Sequence, residues 1–448
     1  MAGTSADTIT ILSIDGGGVR GIIPGVILDF LESKLKEYGG ENTRLADYFD
    51  VISGTSTGGL IAAMISTPNH QKRPLYDANQ IVPFYKRECP KIFKKKSCIL
   101  CHSSYENCHS EDCHEMYLKM LTDAAASHGN ENNKKVLLGS TYDGGYIQKL
   151  ASDILGDKRL SNTLTNLVIP AYDIKKLSPV VFSSYEVDNG NEELDALLSD
   201  ICISTSAAPT YLPAYQFFNK NTEFNMIDGG VAANNPTAAA ITEVVKKRAK
   251  VHLEKGKRKG KGKRKRGEEE ESDLINSSRL LVLSLGTGAD KSVGKYNAKM
   301  VNSWSAINWI QNPPWNFWSA DRPIIDFMSD ANADMIDHYS TMFFDSSLHP
   351  ENFLRIQDSK LPEELAAMDN ADPANLDKLE QYAKDLLNKP VTSLNLATFQ
   401  RIIVNENDTY QVALGKFAKK LIAIKKNRAK KSREISRLTR LRSGAVLK

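Results

Sequence analysis

Thr10-Ile11-Leu12-Ser13-Ile14-Asp15-Gly16-Gly17-Gly18-Val19-Arg20-Gly21 joins an apolar run to a loop built almost wholly of glycine. From Ile22 to Tyr38 the apolar residues Ile23, Val26, Ile27, Phe30, Leu31 and Leu35 recur at helical spacing. The order is strand, glycine loop, helix, which is the opening of an α/β unit. Two readings of the loop compete. Gly16 to Gly21 matches G-x-G-x-x-G, the dinucleotide fingerprint, which expects an acidic residue at the end of the next strand. Glu32, Glu37 and Glu41 lie near the required distance, but in or beside the helix. The alternative is a cluster of backbone donors for an oxyanion, with Arg20 adding positive charge toward a substrate phosphate or a structural carboxylate. The second reading fits better, because the next strand leads into a different motif.

That motif is Gly54-Thr55-Ser56-Thr57-Gly58, a G-x-S-x-G nucleophile elbow. Residues 48–53 (Tyr-Phe-Asp-Val-Ile-Ser) read as a buried strand, and residues 59–65 as the first turns of an apolar helix. A helix starting there directs its N-terminal dipole at Ser56. Taken alone, the pentapeptide reads equally well as a glycine-rich turn without chemistry.

A third motif, Asp228-Gly229-Gly230, follows the apolar run ending at Ile227. Alone it would be a turn; beside a serine elbow it supplies a carboxylate. The eight histidines offer few bases for a triad. His102, His109 and His114 sit among cysteines, and His70, His128 and His252 lie in polar loops or beside a charge run. His338 and His349 remain; a triad in the order Ser, Asp, His could use His338, but its surroundings look helical, whereas that histidine normally sits on a loop after a strand.

With these motifs in order, the chain resembles the plant patatin-like phospholipases over about residues 8–400. The stretches from Ser204 to Pro213, Leu283 to Gly288 and Asn352 to Gln357 carry the resemblance further. It implies an α/β fold of one domain, a central, mostly parallel sheet sandwiched by helices, related to the α/β-hydrolase-like and cytosolic phospholipase A2 catalytic architecture. It implies a Ser–Asp dyad without histidine: Ser56 as nucleophile, Asp228 as general base, and Gly16, Gly17 and Gly18 as oxyanion donors. Arg20 and Gly21 complete the glycine-rich loop, Gly54 and Gly58 flank the elbow, and Gly229 and Gly230 follow the base. The expected substrates are phospholipids or galactolipids, in lipid catabolism and in defence or signalling, with no cofactor. A histidine-assisted carboxylesterase on soluble esters, or a non-catalytic storage or signalling protein, is the rival. The expected domain spans residues 8–415, followed by a basic helix or tail at 416–448.

The 448 residues carry a net charge of +4 that hides an asymmetry. Residues 246–266 hold 13 Lys or Arg and one acid, and residues 416–442 hold 12 and one. The rest has 33 basic and 52 acidic residues, a net of −19. The basic insertion at 246–271 reads as a solvated loop, an anionic-lipid contact, chiefly through 255–266 and the tail, or a nuclear-localisation patch. It lacks interleaved aromatics, so no specific nucleic acid is expected. Residues 89–114 form a Cys/His-rich loop, in which Cys98, Cys101, Cys108 and Cys113 are a candidate structural zinc set, with reduced thiols as the alternative. All four tryptophans fall between Trp304 and Trp318, as a packed segment or an interfacial one. No leader or membrane span is expected, so the protein is expected to be cytoplasmic, peripherally membrane-associated and not secreted, with a nuclear location as the competing reading.

Overall fold

The structure is a computed structural model; it describes residues 5–94, 140–258, 277–291, 295–310, 312 and 321–445. The elements run β1 (Ile9–Ile14), α1 (Ile22–Gly39), β2 (Val51–Gly54), α2 (Thr57–Ser66), α3 (Ile81–Ile92), α4 (Gly145–Leu155), β3 (Asn166–Asp173), β4 (Ser178–Ser183), α5 (Leu198–Ser206), β5 (Tyr215–Asn219) and β6 (Thr222–Asp228). After these come α6 (Thr237–Arg258), β7 (Leu280–Leu285), α7 (Pro323–Ser346), β8 (Phe353–Ile356), α8 (Pro373–Leu387), β9 (Pro390–Leu394), β10 (Arg401–Thr409) and α9 (Tyr410–Ala445).

β1 is apolar on both faces because helices cover both. Leu12 and Ile14 face a core with α1, α2, α3, α8 and α9. Ile11 faces a smaller core with Ala240 and Val244 of α6 and Phe344 of α7. Side chains alternate across a strand, so a run buried on both sides must be apolar throughout. The eight-stranded sheet has the order β5-β6-β3-β2-β1-β7-β8, with β4 also on β3. β1 pairs in parallel with β2 and β7, as do β2 with β3 and β7 with β8, whereas β4, β5 and β6 join antiparallel.

One detail of register positions the site. β2 pairs with β3 only at residues 166–168, then turns away into α2. β6 takes over the same edge of β3 at residues 171–173, with Asp228 opposite Ala171. Asp228 therefore arrives from an antiparallel strand directly beyond the serine elbow.

The strand expected at residues 48–53 begins only at Val51. Tyr48 and Phe49 are buried for another reason: Lys425 lies over the Tyr48 ring at 4.2 Å, and Phe417 stacks on Phe49 at 6.3 Å, both from α9. The expected boundary at residue 415 falls inside α9, whose Leu414, Phe417, Ala418, Leu421 and Ile424 are core residues. Trp304 and Trp309 pack edge to face at 5.5 Å beside Tyr296 and Phe327. Trp315, Trp318, the four candidate zinc cysteines and residues 259–271 of the basic insertion lie outside the described residues. Among the described residues, no helix is long and apolar enough to cross a membrane.

Candidate active site

β1 ends in the glycine loop, β2 ends in the elbow, and β6 ends in Asp228. Ser56 sits at φ 53°, ψ −122°, a backbone conformation that L-residues rarely adopt. The turn closes this tightly only because Gly58 lacks a side chain: a methyl there would overlap the Ile14 carbonyl oxygen. Ser56 is the N-cap residue of α2, and its side chain draws the pKa of the neighbouring Asp228 carboxyl downward. The Gly230 amide donates to Asp228 Oδ1 at 2.7 Å. Burial nevertheless dominates, pushing the Asp228 carboxyl up to about 7 against the opposing pull of the Gly230 amide and the Ser56 side chain.

Thr205 of α5 ties the elbow to the third motif. Its Oγ1 accepts from the Ser56 amide at 2.9 Å and donates to the Pro170 carbonyl at 2.6 Å. Its carbonyl accepts from the Gly229 amide at 3.3 Å, and the Asp228 amide donates to the Ala207 carbonyl at 2.9 Å. The Ser204–Pro213 stretch marked the resemblance in sequence, but gave no hint that one threonine sets the separation of Ser56 and Asp228.

The glycine loop is more selective than expected. The Gly16 amide donates to the Asn234 carbonyl at 3.1 Å, so it is engaged and cannot serve as an oxyanion donor. The Gly17 and Gly18 amides have no partner among the described residues, and both glycines line the cleft. Gly18 has a φ of +58°, suited to glycine. The Thr57 amide at the start of α2 is likewise unengaged and beside the cleft, an amide that the sequence did not single out. Thr287 braces the loop by donating to the Gly16 carbonyl at 2.7 Å.

Two arginines hold this loop. Arg355 of β8 donates from both terminal nitrogens to Asp15, at 3.0 and 2.6 Å, and also to Ser284 Oγ at 2.9 Å. Asp337 joins it at 3.7 Å and pairs with Arg401 at 2.6 Å. Burial works against the Arg355 charge, and the two carboxylates outweigh it, so its pKa is raised. Arg20 donates to the carbonyls of Gly17 (3.3 Å) and Gly288 (3.1 Å). Its charge faces Asp326 and Asp330 of α7. Both roles considered from sequence place Arg20 beside a negative charge; among the described residues its charged neighbours are these carboxylates, and its hydrogen bonds hold the glycine loop. Burial pushes Asp326 up to about 6, with Arg20 opposing the shift.

Ser56 and Asp228 open into a cleft of about 900 Å³ including its mouth, walled by Leu60, Phe84, Ile92, Phe93, Ile147, Leu212, Ile325 and Met368. No described histidine lines it. His338 lies on α7 and stacks on Phe399 at 4.8 Å. A larger hollow lies between α9, β8 and the β9–β10 hairpin and shares no lining residue with the cleft.

The family model of the patatin-like phospholipases matches residues 12–241. Patatin-like protein 3 of Arabidopsis thaliana is 41% identical over 436 residues, covering 95% of this chain and 91% of its own. Patatin-like protein 2 of the same plant is 45% identical over 400 residues, covering 88% and 86%. Patatin-17 of Solanum cardiophyllum is 36% identical over 435 residues, covering 95% and 93%. Similarity of this extent, spanning the glycine loop, the elbow and the Asp-Gly-Gly turn alike, leaves one conclusion: the chain belongs to the patatin-like phospholipase family.

Proposed function

We propose that the protein is a serine acyl hydrolase that cleaves acyl esters of polar glycerolipids through Ser56 and Asp228. Family membership is consistent with lipid acyl hydrolase activity. The observation that carries the finer reading is that Ser56 and the buried Asp228 carboxyl line one apolar cleft, close enough for the Ser56 side chain to pull on the Asp228 pKa. Asp228 takes the Ser56 proton as the hydroxyl attacks the ester carbonyl. The oxyanion receives the free amides of Gly17 and Gly18, and that of Thr57 at the helix N-terminus. Protonated Asp228 then gives its proton to the departing glycerol oxygen, leaving an acyl-serine. Water, deprotonated by the same carboxylate, releases the fatty acid and restores Ser56. An ordinary aspartate holds a proton too weakly for this work at neutral pH; one near 7 is matched to it. The apolar walls suit an acyl chain, and no cofactor enters any step.

The test is fatty-acid release from phosphatidylcholine and from a galactolipid, with Ser56→Ala as control. Release from either by the intact chain alone supports the reading; release from neither, with retained cleavage of a soluble ester, favours the carboxylesterase. The pH dependence is a second check. Asp228 must be ionised to act, so kcat/KM on a soluble ester is expected to rise through about pH 7 and level off above it. A profile already flat from pH 5 upward would contradict the raised pKa.

A further inference from the structure

The described start of the first basic segment, on α6, and the second, on α9, lie far apart in sequence, yet both reach Asp7 at the end of the sheet opposite the cleft. The glycine loop and Ser56 follow the C-terminal ends of β1 and β2. α9 instead crosses the N-terminal ends. Beyond the Phe417 and Lys425 contacts already described, Arg428 donates to the carbonyl of Thr8 at 2.6 Å and to Asp50 at 2.9 and 2.5 Å, and Lys431 meets Asp7 at 2.8 Å. α6 reaches the same place: Thr237 bonds Ser13 near the cleft end, and Arg248 donates to the Asp7 carbonyl at 2.6 Å. Lys247 meets Asp188 at 3.3 Å and Lys250 bonds Asn189. α6 then continues two turns to Arg258.

The outer face of α9 carries the excess charge. Lys426, Lys430, Arg433 and Arg437 recur at spacings of four, three and four, which places them on one stripe about 16 Å long. All four are exposed, and none has an ion-pair partner among the described residues. The exposed apolar side chains Val251 and Leu438 stand at the same end. The remainder of the chain is acidic, with its net charge of −19. Five of its acids, Glu268–Glu271 and Asp273, follow the basic insertion directly; without them the remainder still has 33 basic and 47 acidic residues, so it stays acidic while the α9 stripe is basic.

We propose that this basic end is a docking face for anionic bilayers, and that docking there turns the cleft away from the bilayer. An anionic surface attracts the stripe and repels the acidic body, so both forces favour the same orientation. β1 alone, six residues long, separates the two ends by about 20 Å. Lipid would then be hydrolysed in uncharged or zwitterionic surfaces, and anionic lipid would hold the enzyme idle. The orientation half rests on the assignment of Ser56 to lipid hydrolysis; the docking half does not.

The experiment has two readouts. Full-length Ser56→Ala protein is sedimented with phosphatidylcholine vesicles, with or without one-third phosphatidylserine, and compared with the same protein carrying Lys426→Glu, Lys430→Glu, Arg433→Glu and Arg437→Glu. The four exposed reversals are expected to weaken binding to the anionic vesicles at least a hundredfold, given about one basic contact each near the surface. Circular dichroism melting confirms that the variant folds. With Ser56 intact, phosphatidylcholine hydrolysis is expected to be slower in the anionic vesicles than in the neutral ones, and the four reversals are expected to restore it. Equal sedimentation of both proteins overturns docking. Retention on duplex DNA without retention on vesicles assigns the stripe to nucleic acid and overturns it too. Hydrolysis accelerated by phosphatidylserine, and lost with the stripe, overturns the orientation. Absence of hydrolysis in every vesicle counts against the lipase reading, while sedimentation still decides docking.

Discussion

Ser56→Ala is expected to lower kcat/KM on a soluble short-chain ester roughly 10⁴–10⁶-fold, and Asp228→Asn about 10²–10⁴-fold. The two differ because the first removes the atom that bonds to the acyl group, whereas the second removes only its proton acceptor. Folding is expected to be spared in Asp228→Asn. The Asp228 carboxyl has a native pKa raised to about 7, above its unfolded value, so the native state binds its proton more tightly. Stability contributed by that proton is present at low pH and is lost as pH rises toward 7. Above pH 7 the buried charge burdens the native state, and a neutral amide does not. Asn can still accept the Gly230 amide through its carbonyl oxygen. At pH 8 the variant is therefore expected to melt no lower than the parent while losing its activity. A large fall in melting temperature together with the activity would show that Asp228 serves the fold.

The second large effect is on stability. Arg355→Met removes the partner of Asp15 from a buried site; Arg355 and Asp15 side chains are 4% and 2% exposed. Breaking a buried pair from one side costs about 3–5 kcal/mol, because the remaining carboxylate is left without a counter-charge. Arg401 still partners Asp337, so the damage is concentrated at Asp15, the residue that begins the glycine loop. The melting midpoint is expected to fall by several degrees, and activity to decline even where the protein stays folded. A midpoint within a degree of the parent's would mean that the ion pair is not what holds the loop.

The three motifs were legible because each is local. A strand, a glycine turn and a helix in succession specify their own geometry, and Ser56 with its positive φ could sit nowhere else in that pattern. What holds them together was not legible. Arg355 reaches Asp15 across 340 positions and Thr205 reaches Ser56 across 149, and no periodicity records such contacts. The engagement of the Gly16 amide has the same origin, since its acceptor, Asn234, lies on the turn that follows the third motif. The apolar run at 48–53 misled because burial under α9 and burial in a sheet demand the same residue types. The place of Asp228 depended on β6 entering antiparallel on an edge that β2 vacates, and a single strand's sequence does not state its direction.

The central claim is that a Ser56–Asp228 pair, without histidine, activates the nucleophile. The most direct measurement is the rate and site of covalent labelling by a fluorophosphonate, read by peptide mass spectrometry. The account predicts a single adduct on Ser56, formed at the parental rate in His338→Ala and slowed in Asp228→Asn by the same factor as ester hydrolysis. An adduct elsewhere, or labelling abolished by His338→Ala yet unchanged by Asp228→Asn, would contradict it.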